Sequence, residues 1–210
     1  MAIREMDLVK VWENGELIKK NIDFLRPPTK PIPFPISGQI NKIIQDLIDT
    51  YRAVPCAGIA ANQIGYDKKI FIGMKTDKDR SIEDDPSKDI DDVEPDPNNY
   101  EIYINPQLDK VNEKSTQKGD EGCLSIPNLS FELERYNEIK VRYYDINGHR
   151  IKKPLSGFLS RLFQHELDHL NGELMIDNLE KIENLYPLEA NEENAKLYGN
   201  LYSAYQKLTK

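Results

Sequence analysis

The sequence predicts an α+β fold: small antiparallel or mixed sheets packed around a central helix, with a further helix at the C-terminus. Apolar residues recur at helical spacing in separate stretches of the chain. Other stretches read as strands, rich in β-branched and aromatic residues. The strand-like stretches come first, with the central helix packed on them.

Each element has its own signal. Residues 21–37, "NIDFLRPPTKPIPFPIS", predict extended chain, because each proline fixes φ and pushes its predecessor out of the helical region. Ser37 can cap the helix that follows, whose stripe is Ile40, Ile43, Ile44, Leu47, Ile48 and Tyr51, and Pro55 marks its end. Strands are expected over 68–74 and 100–108, and a hairpin over 138–153 turning at Asn147-Gly148. The central helix starts near Ser156, carries Leu159, Leu162, Phe163 and Leu170, and stops at Asn171-Gly172. Leu197, Leu201, Tyr205 and Leu208 predict a helical tail within 187–210.

At 210 residues the chain is expected to be a single domain spanning 1–210. Residues 76–99 hold ten carboxylates and three basic groups, too polar to pack, so they read as an acidic surface insertion. Net charge is −8, which excludes broad affinity for DNA or for anionic membrane. No apolar run reaches transmembrane length, and the opening residues lack the apolar core of a signal peptide. A cytoplasmic protein is expected, with Cys56 and Cys123 as free thiols or metal ligands.

The chemistry begins at Gln164–Gly172, "QHELDHLNG". Residues four apart on a helix share a face, so His165 and His169 can aim at one metal ion with Glu166 beside it as a base. The central helix is then a metal-binding helix. A catalytic metal needs a third protein ligand and an open position. His149 sits in the hairpin turn. Glu189 or Glu192 downstream would suit a zinc endopeptidase, and Cys123 in "GDEGCLSIP" offers a thiolate instead. In "CAGIAANQIG", small residues allow close backbone approach and Gln63 supplies an amide.

Together these stretches resemble the peptide deformylase family. Glu121-Gly122-Cys123-Leu124-Ser125 and Gln164 through Gly172 match two of its motifs in full, and Gly58-Ile59-Ala60-Ala61-Asn62-Gln63 matches most of the third. The likeness runs over about residues 20–180 and includes the proline-rich entry and the long helix behind it.

The resemblance implies removal of the N-formyl group from the initiator methionine of new polypeptides, with release of formate. It implies that Cys123, His165 and His169 hold one divalent ion. Iron(II) is expected in the cell, and zinc, nickel or cobalt also suit these ligands. Glu166 would be the general base, with the Gln63 amide and the Leu124 backbone N–H stabilising an oxyanion. Gly58 and Ile59 would meet the peptide strand-fashion, and Ile59, Leu124, Phe158 and Leu162 would form the methionine pocket. Glu121 is expected near the substrate or capping a turn, and Asp168 and Arg135 either form an ion pair that pins the helix or stay as two solvated charges. N-formylmethionyl nascent peptides are the implied partners, with a ribosome contact through the C-terminal helix left open. Three departures stand out: Cys56 in place of a first-motif glycine, Ser130 in place of a common arginine, and the long acidic stretch. A cysteine at 56 would be strained if that position needs positive φ. The rival readings are a zinc endopeptidase and a non-catalytic member of the fold.

Overall fold

Ser37 does cap the first long helix: its side chain accepts a hydrogen bond from the Ile40 amide. The computed structural model describes residues 8–54, 56–77, 96, 98–178, 186–187 and 191–209. A short hairpin, β1 (Trp12–Glu13) with β2 (Glu16–Leu17), leads into helix α1 (Lys19–Leu25). Then come α2 (Gly38–Ala53), β3 (Gly58–Ala60), β4 (Ile70–Met74), β5 (Tyr100–Val111), β6 (Thr116–Cys123) and β7 (Ile126–Tyr136). The remainder is β8 (Glu138–Tyr144), β9 (Arg150–Ser156), α3 (Gly157–Asn171), β10 (Tyr186–Pro187) and α4 (Glu192–Thr209).

Two sheets frame the molecule. One has five antiparallel strands in the order β3-β4-β5-β8-β9; the other has the order β10-β7-β6. Side chains alternate across a strand, so the five-stranded sheet has two apolar faces. Ile59, Ile70, Ile72 and Ile104 pack against the α2 stripe, while Phe71, Tyr103, Val141 and Tyr143 pack against Phe163, Leu167 and Leu170 of α3. A third cluster joins Val11, Trp12 and Leu25 to Ile126, Phe131 and the α4 residues Tyr198, Leu201 and Tyr205. Helix α3 therefore lies between the sheets, as a central helix should.

The structure differs from expectation in three places. Residues 19–25 form α1 even though extended chain was expected from 21, because Ile22 and Leu25 bury into the third cluster and Pro27 lies beyond the helix end. From there the chain is extended, tied by Thr29 to the Leu170 carbonyl and by Asn105 to both backbone groups of Ile32. The long β6–β7 hairpin was not anticipated. Its burial alternates, but its sequence is mostly polar, so the apolar signal is thin. The α4 stripe is rotated: Tyr198, Leu201, Tyr202 and Tyr205 are buried, and Leu208 is 47% exposed. The acidic insertion expected over 76–99 lies mostly outside the described residues.

The end of α3 depends on a glycine. Gly172 has φ +81°, and a Cβ there would stand 1.8 Å from the Arg26 carbonyl oxygen. The helix stops where its last turn meets the end of α1. No helix among the described residues is long and apolar enough to cross a membrane.

Candidate metal centre

Helix α3 puts His165 and His169 on one face, with ring centroids 5.0 Å apart. Cys123 ends β6, just before the turn into β7, and its Sγ lies 3.1 Å from His169 Nε2. One ligand atom from each of Cys123, His165 and His169 falls within 4.8 Å of the others, the metal-capable group found among the described residues. His149 is elsewhere: its side chain is 77% exposed and paired with Asp145 in the hairpin turn. Glu192 is exposed at the start of α4, and Glu189 lies outside the described residues.

The donor chemistry suits a divalent ion. Burial pushes the Cys123 thiol up, but His169 and His165 outweigh it and bring it down to about 5, so the sulfur is held as thiolate. His165 Nδ1 lies 2.9 Å from Glu121 Oε2. An ionised carboxylate can only accept, so Nδ1 carries the proton and Nε2 is left as a lone-pair donor. The Gln63 amide nitrogen points at Cys123 Sγ (3.6 Å) and Ser125 Oγ (3.3 Å), while its oxygen accepts from the Ala60 amide. Asn62 donates to the His169 carbonyl at 2.6 Å, tying the first motif to α3.

Glu166 is 2% exposed, and its Oε2 has no hydrogen-bond partner. Burial raises its pKa to about 7 against the pull of His165 and His169. It faces a cavity of about 570 Å³ lined by Cys56, Gly58, Gln63, Cys123, Leu124, Phe158, Leu162 and His165, among others. Gly58 presses against this carboxylate: a Cβ there would stand 2.7 Å from Glu166 Oε1 and 2.8 Å from Leu162 Cδ1. Leu124, Phe158 and Leu162 line the cavity as expected. Ile59 does not; its side chain is fully buried against α2, because alternation along β3 turns it to the opposite face. Cys56 lines the cavity and is not among the positive-φ residues, so it carries no left-handed strain. Burial and then Glu166 push its thiol up to about 12, which keeps it neutral.

Glu121, expected near the substrate or capping a turn, does lie at the cavity, but it is 6% exposed and its carboxylate is engaged by Arg135, Arg161 and His165. Burial works against its charge, but His165 and Arg135 outweigh it and hold it ionised, so it orients His165 and has no oxygen left to offer a peptide. The Asp168–Arg135 pair forms, at 2.5 Å, and pins α3 to β7. Gln164 assists by pairing with both backbone groups of Tyr136. The sequence reading missed Arg161 and Asn62. Arg161 stands four residues before His165 on the apolar face of a helix, where a charge has to find partners.

A thiolate and an imidazole at the wall of a cavity, a second imidazole buried behind them and a buried carboxylate alongside are the equipment of a metal-dependent hydrolase. The class can be narrowed: a family model described as polypeptide deformylase matches residues 16–185, and the chain belongs to that family. It is similar to the peptide deformylase of Pelagibacter ubique, 37% identical over 158 residues, or 75% of this chain and 81% of that one. It is also similar to the peptide deformylase of Symbiobacterium thermophilum, 33% identical over 82% of this chain and 69% of that one. Among solved structures, the Thermotoga maritima peptide deformylase superposes with a TM-score of 0.63 at 28% identity, covering 83% of this chain and 99% of that one. A peptide deformylase from Acinetobacter baumannii solved with Met-Ala-Ser bound gives a TM-score of 0.64 at 26% identity, covering 83% of this chain and 99% of that one. The activity is therefore hydrolytic removal of the N-formyl group from new polypeptides.

Proposed function

We propose that Cys123, His165 and His169 hold one divalent ion, iron(II) in the cell, and that Glu166 is the general base of the deformylation. The observation that carries this reading is the unpartnered Glu166 Oε2, buried beside the three donors at the wall of the cavity. A divalent ion supplies Lewis acidity there, bringing the pKa of a water down toward neutrality. Glu166 takes the proton of the attacking water and returns it to the departing amine. Because its carboxylate is buried and raised to about 7, it is suited to both halves of that task.

Gln63 and the Leu124 backbone N–H flank Cys123, where charge develops on the formyl oxygen; one such donor is worth about 3 kcal/mol in other enzymes. Gly58 and Ile59 offer the backbone of β3 to the peptide, and Leu124, Phe158 and Leu162 receive the methionine side chain. The Met-Ala-Ser seen in the Acinetobacter baumannii protein supports a methionine-headed peptide here. In this reading the chain works as one catalytic domain in the cytoplasm, where it meets formylated nascent chains. Any ribosome contact through α4 would use the face that carries Leu208, since Tyr198, Leu201 and Tyr205 are committed to the interior.

The test is Glu166→Ala. It is expected to keep a stoichiometric ion and to lose turnover of a formyl-Met peptide by several orders of magnitude. Activity within tenfold of the unmodified protein would show that Glu166 is not the base.

A further inference from the structure

We propose that Arg161 is a positioning residue of the metal centre: through Glu121 it fixes the His165 imidazole in the tautomer and direction that metal binding requires. The inference rests on the ligand reading given above. Arg161 precedes His165 by one helical turn, so both project from the same face of α3. Its side chain is 7% exposed, and Nη1 donates to Glu121 Oε1 at 2.7 Å. Its remaining bonds run to the backbone carbonyls of Gly119 (3.1 Å), Leu133 (3.2 and 3.1 Å) and Gln117 (3.0 Å). Gly119 leaves the room: a Cβ there would stand 3.2 Å from Arg161 Nη2.

The Glu121 carboxylate is thereby closed off. Oε1 accepts from Arg135 Nε and Arg161 Nη1, while Oε2 accepts from Arg135 Nη2 and His165 Nδ1. Four donors on two oxygens leave the group no freedom to rotate. Arg135 alone would not achieve this, since its third nitrogen is drawn off to Asp168. A guanidinium suits the place because its planar fork can hold a carboxylate and carbonyls at once, which the point charge of a lysine cannot do.

A purely structural Arg161 would only staple the β6–β7 backbone to α3. Cobalt(II) separates the two roles, because its visible bands report the geometry around the ion. Arg161→Met and Arg161→Lys are each expected to weaken cobalt binding, measured against a competing chelator, by about tenfold or more, as for other partners of metal-bound histidines. Their bands should shift as well. Glu121→Gln should behave alike, and Arg161→Lys placed on top of it should add less than a further twofold. Folded variants that melt earlier yet bind cobalt within twofold, with unshifted bands, would overturn the proposal. So would fully additive losses in the double variant. Should the Arg161 variants not fold, nitrogen NMR of the zinc-loaded unmodified protein decides: a protonated Nδ1 on His165 supports the proposal and a bare Nδ1 refutes it. Failure of the unmodified protein to bind cobalt would instead refute the ligand set itself.

Discussion

At the scale of single residues, the site depends on charges kept out of water. Cys123 is held as thiolate by two imidazoles, so Cys123→Ala should lose the ion. Metal analysis finding one ion per chain in that variant would remove Cys123 from the ligand set. As the proposed base, Glu166 must be ionised to take a proton, and its pKa is raised to about 7, so kcat/KM should fall as pH drops through an acid limb. A cation in the cradle draws that limb downward, to 7 or below. The limb should vanish from the residual activity of Glu166→Gln; its survival there would assign it to another group. These residues were legible because His165, Glu166 and His169 lie within one helical turn and Cys123 sits in an intact motif. The hold of Glu121 on His165 was not legible, because its partners come from positions 135, 161 and 165, a convergence that only the folded chain creates.

At the scale of elements, two glycines fix how α3 meets its neighbours. A methyl group at position 58 would push on Glu166 and Leu162. Gly58→Ala is therefore expected to fold and keep its metal while kcat falls at least tenfold, which steady-state kinetics on a metal-replete sample would reveal. Position 172 is more severe, since a Cβ would overlap the backbone of Arg26 in a left-handed conformation. Gly172→Ala should cost about 3 kcal/mol, at the upper end for overpacking. A denaturation midpoint close to that of the unmodified protein would mean that the two segments can part freely. The Asn171-Gly172 stop, the Ser37 cap and the Asn147-Gly148 turn could all be read in advance, because each is a local rule. The β6–β7 hairpin could not: its inward residues, such as Ile126, Leu129, Phe131 and Leu133, are separated by polar ones, and what buries them comes from distant segments, β1, α1, residues 174–176 and α4.

At the scale of the whole molecule, the acidic segment is inserted between register partners. Met74 pairs with Tyr100, and Thr76 and Asn99 exchange hydrogen bonds, so the two ends are already held side by side. A short Gly/Ser link in place of residues 77–98 should therefore leave turnover of a short formyl-Met peptide within about threefold, because closing a shorter loop costs little entropy. A larger loss of turnover would make the segment part of the working site.

The contact of Gly172 with Arg26 also bears on the order in which the chain can assemble as it is made. Several ties of the N-terminal segment run to residues that come much later: Val11 to Ser125, Thr29 to Leu170, and Arg26 to Asp177. A growing chain presents its N-terminal segment first, but the surfaces that receive it are completed only with residues 125–133, then 170–177 and α4. Docking of that segment is thus completed late in biosynthesis, and until residues 174–176 and α4 are made the cluster that Trp12, Ile22 and Leu25 enter is only partly built. Nascent chains stalled before residue 170 should be cut by protease within the first thirty residues, whereas released full-length chains should resist.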